Sequence, residues 1–255
     1  MIRILSIGNS FSQDAQRWLH QIAAAAGEEL LAVNLCIGGC SLERHAGNVI
    51  NDAAAYTYEV NGEATGRMAS VREVLEEERW DAVTIQQVSQ LAGRPQTFLP
   101  HILTLAELIR VKAPQARLYF HETWAYETDS DHPGFSYYDR NQKEMLRRII
   151  DAAALAQQLT GALLLPSGEL IQYLRETMPE FAYGSGGLSL NRDGFHLSLD
   201  YGRYAVAALW LCALTGKFPA DNGFVPETGS EAVKQEILNG INHGVVMFCR
   251  EKGIL

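Results

Sequence analysis

Short runs of aliphatic and β-branched residues alternate along this chain with longer stretches in which apolar positions recur every three or four residues. That alternation predicts a mostly parallel sheet covered on both faces by helices. Residues 3–7 read as the first strand, and residues 13–26 as a helix with an Ala-rich inner face, closed by Gly27 as its C-terminal cap. Residues 30–36 read as the second strand. Ile37-Gly38-Gly39-Cys40-Ser41 must then be a tight loop, because paired glycines permit backbone angles that other residues avoid. Residues 56–60 followed by Asn61-Gly62 predict a small hairpin, an excursion from strict β-α alternation.

Further along, Ser70 can cap a helix over 71–79, and residues 81–86 make a third strand entering the core. A helix over 100–112 ends before Pro114, and residues 117–120 form the fourth strand. The segment 123–136, rich in Asp, His, Pro and Gly, is a long loop of the kind that usually carries function and could close over a substrate. Residues 141–159 are strongly helical, 161–165 form a fifth strand stopped by Pro166, and 168–176 form one more helix. Gly184, Gly186, Gly187 and Gly194 make 181–195 irregular, and helices over 201–215 and 230–252 close the chain. No linker, repeat or low-complexity tract divides it, so the expectation is one α/β domain over 1–255 with about five parallel strands.

Composition narrows the partners. The 255 residues are 47% apolar and 20% charged, enough to build a core. With 21 Lys+Arg against 30 Asp+Glu the formal charge is −9, and no Lys/Arg run is present, which argues against nucleic acid and against an anionic membrane. The start Met1-Ile2-Arg3-Ile4-Leu5-Ser6-Ile7-Gly8 turns polar too soon for a secretory signal. No apolar run approaches the roughly 20 residues of a spanning helix. Cys36, Cys40, Cys212 and Cys249 form no CxxC pair, so they read as reduced thiols in a cytoplasmic protein.

Two short blocks carry chemistry. In Gly8-Asn9-Ser10-Phe11-Ser12 a serine stands at the carboxyl end of the first strand, where open α/β sheets place their ligands. Its hydroxyl can act as a nucleophile if a base lies within reach; alternatively, Ser10 or Ser12 caps the following helix. In Asn191-Arg192-Asp193-Gly194-Phe195-His196-Leu197-Ser198, a carboxylate precedes a histidine by three residues with a glycine between them. Held on a turn, Asp193 can orient the imidazole of His196, which can deprotonate a serine brought beside it.

Together these blocks resemble the SGNH/GDSL hydrolase superfamily, and more narrowly a branch of uncharacterised SGNH-like proteins grouped as a domain of unknown function. In that branch Gly-Asn-Ser-Phe-Ser, Ile-Gly-Gly-Cys-Ser-Leu-Glu-Arg-His and Arg-Asp-Gly-x-His-Leu-Ser recur, here over residues from about 2 to about 216. The resemblance implies a flavodoxin-like three-layer α/β/α fold, with Ser10 as nucleophile, His196 as base and Asp193 as its orienter. It also implies an oxyanion hole of the Ser10 N–H, the Gly39 N–H (Gly38 being nearly as suitable) and a third-block side chain. There the chain departs from Gly-x-Asn-Asp, having Thr84-Ile85-Gln86-Gln87-Val88-Ser89-Gln90. Gln87 is the expected donor, with Gln86 or Gln90 taking over if strand alternation turns it sideways.

Asn9, Gln86 and Trp124, the last with Tyr126 as a sugar-stacking wall, are the expected substrate contacts. His45, read as an exposed helix residue, either lines the pocket or is inert. A metal site from His101, His121 and His132 has no recognised spacing, and Gly184-Ser185-Gly186-Gly187 lacks a Walker lysine, so no cofactor is expected. The implied activity is a serine esterase acting on a small acyl ester, an O-acetyl group on a carbohydrate or similar small molecule. Lipid or thioester hydrolysis, acyl transfer on the same triad, and a non-catalytic carbohydrate-binding domain are the alternatives.

Overall fold

The computed structural model describes residues 1–182, 187–217, 221–228 and 233–255. Its strands are β1 (Ile2–Gly8), β2 (Leu30–Cys36), β3 (Tyr56–Val60), β4 (Glu63–Ala69), β5 (Ala82–Ile85), β6 (Arg117–Glu122) and β7 (Leu163–Pro166). They form one sheet of order β4-β3-β2-β1-β5-β6-β7. β1 pairs parallel with β2 from Ile2↔Leu30 to Gly8↔Cys36, and with β5 from Ile4↔Ala82 to Ile7↔Ile85. β5, β6 and β7 continue in parallel, which accounts for the five expected parallel strands. The sheet nevertheless has seven strands. The hairpin of β3 and β4 does not stand apart but joins β2 in antiparallel register, Val33↔Val60 to Cys36↔Thr57.

The helices are α1 (Ser10–Gln16), α2 (Leu19–Ala25), α3 (Leu42–Ile50), α4 (Val71–Glu77), α5 (His101–Lys112), α6 (Gln142–Thr160), α7 (Ser167–Thr177), α8 (Tyr201–Thr215) and α9 (Gln235–Glu251). Strand residues divide by alternation: Ile4 joins the core made with α1, α2, α7, α8 and α9, whereas Leu5 and Ile7 join the core made with α3, α4 and α5. α6 contributes to both. Burial on both faces is why β1 and β2 read as nearly continuous apolar runs.

Three elements differ from expectation. The helix over 13–26 is two helices, broken at Arg17 and Trp18, where the Trp18 indole N–H turns to donate to the Leu199 carbonyl at 2.9 Å. α3 follows the Gly-Gly loop directly, capped by the Ser41 side chain and burying Leu42, Ala46 and Val49. The last helix begins at Gln235; Gly184, Ser185, Gly186 and Ser230 lie outside the described residues. Because successive strands are added to opposite sides of β1, the carboxyl ends of β1 and β5 flank the point where the strand order reverses.

One buried acid gives this fold a pH dependence. Glu122 closes β6; burial, and then the nearby Glu169 charge, push its carboxyl up to about 8 against the hydrogen bond from the Glu169 N–H. An acid raised on folding takes up a proton as the chain folds. Its folded form is therefore undiminished below the ordinary value of 4.5, and stability falls as pH rises from there to about 8. Glu122→Gln should flatten that fall and raise the thermal midpoint at pH 8 relative to the parent. Thermal melts at pH 5 and pH 8 check this; parallel pH dependences would contradict it.

Candidate active site

Asn9 organises the first β-α junction. Its Oδ1 accepts the Phe11 N–H at 3.0 Å, so Asn9 is the N-cap of α1. The same oxygen accepts from Gln86 Nε2 at 2.7 Å, and Asn9 Nδ2 donates to the Cys40 carbonyl at 3.1 Å. One side chain thereby ties together the ends of β1 and β5 and the Gly-Gly loop after β2. Neither serine is needed as a cap. Ser12 Oγ lies 2.8 Å from both the Asn9 carbonyl and Asn34 Oδ1 in the interior. Ser10, the first residue of α1, leaves its hydroxyl 2.9 Å from His196 Nε2.

His196 is held from behind. Asp193 Oδ2 is 2.7 Å from His196 Nδ1, while Asp193 Oδ1 accepts the His196 N–H at 2.7 Å and the Phe195 N–H at 3.2 Å. Partial burial raises the Asp193 carboxyl, but the His196 ring and these backbone donors outweigh it and hold the group below its ordinary value. The turn needs its glycine: Gly194 has φ +80°, and a Cβ there would lie 3.1 Å from Ser130 Cα. Thus Ser10, His196 and Asp193 form one hydrogen-bonded series, with the imidazole oriented by a carboxylate and facing a hydroxyl.

Residues outside the motifs make this meeting possible. Asp14 lies one turn after Ser10, fully buried, and accepts from the Leu197 N–H at 2.9 Å, from Arg192 Nη1 at 3.1 Å and from Arg203 Nε at 2.8 Å. On the other flank Glu127 pairs with Arg175 at 3.0 Å, its N–H donates to the Gly194 carbonyl at 2.8 Å, and Arg175 reaches Asn191 Oδ1 at 2.7 Å. The segment carrying Asp193 and His196 is therefore fixed on two flanks by the buried carboxylates of Asp14 and Glu127, paired with arginines. The sequence signal for Asp14 was its spacing: four residues after Ser10 on a helix, it shares that residue's face.

A cavity of about 330 Å³ opens in front of Ser10 and His196, bordered by Gly39, Val88, Gln90, His132 and Phe195. The N–H groups of Ser10, Gly38 and Gly39 make no hydrogen bond within the described residues, and Gly39 has φ +63°. Gln87 is not available to this cavity: Oε1 accepts the Leu42 N–H at 2.9 Å and Nε2 donates to Thr97 Oγ1 at 3.0 Å, so the amide is spent on the start of α3. Gln86 is equally committed, its Nε2 to Asn9 and its Oε1 to His121 Nδ1 at 2.9 Å. Asn9 borders the cavity with every polar group of its side chain already bonded. Gln90 differs: it lines the cavity, and no described residue bonds its amide.

The aromatic wall is also corrected. Trp124 and Tyr126 are fully buried; Trp124 stacks under Phe11 at 4.3 Å and donates to the Phe195 carbonyl at 2.7 Å, so the aromatic residues that border the cavity are the half-buried Phe195 and the buried Phe11. His45 is buried rather than exposed, with Nδ1 2.9 Å from the Tyr56 hydroxyl, and burial lowers its pKa to about 3. Among the described residues no three His, Cys, Asp or Glu side chains gather as a metal site.

The family described as Domain of unknown function (DUF4886) matches residues 3–240. A crystal structure of a DUF4886 family protein from Bacteroides uniformis is 37% identical, covering 96% of this chain and 93% of that one at TM-score 0.86. A protein from Slackia heliotrinireducens, provisionally named an SGNH hydrolase, is 21% identical over 82% of this chain and 96% of its own at TM-score 0.56. A variant of an acetyl xylan esterase from Geobacillus stearothermophilus is 13% identical over 86% and 96% at TM-score 0.52. The last two likenesses show the SGNH hydrolase fold. No curated protein matches the chain.

Asp14→Asn removes the charge that both arginines face and should lower unfolding free energy by about 3–5 kcal/mol. Urea denaturation measures it; a loss below about 1 kcal/mol would show that the clamp does not hold the segment.

Proposed function

The chain belongs to the DUF4886 family, and we propose that it is an SGNH-type serine esterase that removes a small acyl group, an O-acetyl on a carbohydrate or similar small molecule. The observation that carries this reading is the series Ser10 Oγ, His196 Nε2, His196 Nδ1 and Asp193 Oδ2, linked at 2.9 and 2.7 Å. As Ser10 Oγ attacks the ester carbonyl, His196 Nε2 takes its proton, and Asp193 accepts the Nδ1–H that fixes the tautomer and steadies the imidazolium. The negative charge on the former carbonyl oxygen falls to the N–H groups of Ser10 and Gly39, with the Gln90 amide as the third donor in place of Gln87. Collapse of this intermediate expels the alcohol, which receives the proton from His196. Water, deprotonated by the same imidazole, then attacks the acyl-Ser10 ester and releases the acid. No cofactor enters these steps.

A cavity of about 330 Å³ supports a small ester, since it stands near the lower end of the range for small-molecule sites. Its acidic chain and lack of a basic run support an uncharged substrate rather than nucleic acid. No helix among the described residues is long and apolar enough to cross a membrane, and four unbridged cysteines support a reducing, cytoplasmic setting.

Ser10→Ala should abolish hydrolysis of p-nitrophenyl acetate while changing stability by less than about 0.5 kcal/mol, because Asn9 and not Ser10 is the cap. Gln90→Ala should lower kcat by about 10²–10³. Steady-state assays with matched thermal melts check both; Ser10→Ala protein turning over at the parental rate would remove the assignment.

A further inference from the structure

His132 entered only as a metal-ligand candidate, yet it borders the same cavity as Ser10 and His196. Its placement is built in. The Gly134 N–H donates to His132 Nδ1 at 3.0 Å, the His132 carbonyl accepts the Phe135 N–H at 3.0 Å, and Arg140 Nη1 holds the neighbouring Ser130 carbonyl at 3.0 Å. The ring stands edge-on to Phe195 at 4.8 Å, and Phe195 lies 4.2 Å from the His196 ring. Gly134 allows the close fit, since a Cβ there would come within 2.3 Å of Gln90 Cβ and 3.2 Å of His132 Nδ1.

These contacts define the ring's chemistry. With Nδ1 accepting a backbone N–H, a neutral His132 carries its proton on Nε2, and no described residue accepts it. Burial, and then the neighbouring His196, hold the ring below its ordinary pKa against Asp131 and Asp193, which favours the neutral form. The site therefore offers a hydrogen-bond donor beside an apolar ring, the combination that orients a small polar ligand.

Ring contacts indicate which part of the substrate meets it. His132 follows β6 and Gly39 follows β2, with β1 and β5 between them, and the His132 ring packs on Phe195, which packs on the His196 ring. In acyl transfer the carbonyl oxygen turns to the amide donors, and the leaving oxygen turns to the imidazole that protonates it. His132 stands on the imidazole side.

We infer that His132 is a specificity-determining residue that donates its Nε2–H to a hydroxyl or ring oxygen on the alcohol portion of the ester, so that acyl esters of sugars and polyols are taken in preference to simple alkyl or aryl esters. The inference rests on the esterase proposal and names the side of the substrate that is read. An ester lacking such an oxygen leaves the donor without a partner when water is displaced, a selectivity of about tenfold or more.

The test uses His132→Phe, which keeps a ring but removes the donor, and His132→Gln, which restores an N–H. The readouts are the ratio of kcat/KM for a mono-O-acetylated methyl xyloside to that for p-nitrophenyl acetate, and binding of the same xyloside to Ser10→Ala protein by calorimetry. His132→Phe should lower the ratio about tenfold or more, chiefly through KM for the xyloside, and His132→Gln should recover most of it. In the Ser10→Ala background, His132→Phe should weaken xyloside binding by a similar factor. An unchanged ratio, or no xyloside binding to the Ser10→Ala protein, overturns the inference. Absence of turnover by the parent protein would instead sink the esterase reading, while the binding comparison still decides the role of His132.

Discussion

Asp14 bonds to three groups separated from it by some 180 residues of chain, and the geometry in front of Ser10 depends on those bonds. Its carboxylate lies on the helix that starts at Ser10 and accepts from the Leu197 N–H, Arg192 and Arg203, across separations of 183, 178 and 189 residues. A buried carboxylate is costly unless it is paired and hydrogen-bonded, so the favourable state for Asp14 is the one in which the Asp193–His196 turn is docked against α1. The distance between Ser10 and His196 is thereby coupled to the folding of the core. Glu127 and Arg175 do the same on the opposite flank through Gly194 and Asn191. The geometry of the Ser10–His196–Asp193 series rests on helices and on buried carboxylates paired with arginines rather than on a free loop.

The same packing limits which hydrogen-bond donors are left facing the cavity. Asn9, Gln86 and His121 form a buried hydrogen-bonded row beneath the cavity, and Gln87 is absorbed by the start of α3. These side chains hold loops together, and the amides of Asn9, Gln86 and Gln87 are bonded through both their oxygen and their nitrogen. What faces the cavity is a small set: backbone N–H groups of Ser10, Gly38 and Gly39, the Gln90 amide, and the rings of His132 and His196. Donors already fixed in place, with no partner to give up, are those that stabilise developing charge at least reorganisation cost.

Much of this fold was legible in the chain. Residues 201–215 were read with the bounds of α8, and the strand-helix alternation placed Ser10 at the edge where ligands bind. What was not legible has physical causes. A helix was expected around His45, but its bounds were not, and the Leu42 N–H at its start takes up Gln87 Oε1, so what draws Gln87 away from the cavity is a helix N-terminus distant in sequence. Trp124 was drawn into the core by stacking on Phe11, which no local pattern encodes. The hairpin was visible, but its docking on β2 depends on an open sheet edge that appears only after the sheet forms. A lone Asp on a helix ordinarily faces water, and the arginines that make Asp14 different stand at the far end of the chain.

In the proposed mechanism Ser10 is made nucleophilic by an imidazole held at 2.9 Å from its hydroxyl. The most direct measurement is covalent modification by an organophosphonate ester, with the modified residue located by peptide mass spectrometry in the parent and in His196→Ala. One adduct is expected, on Ser10, and its rate of formation should collapse by several orders of magnitude without His196. Modification of another residue, or of Ser10 at an undiminished rate in His196→Ala, would contradict it.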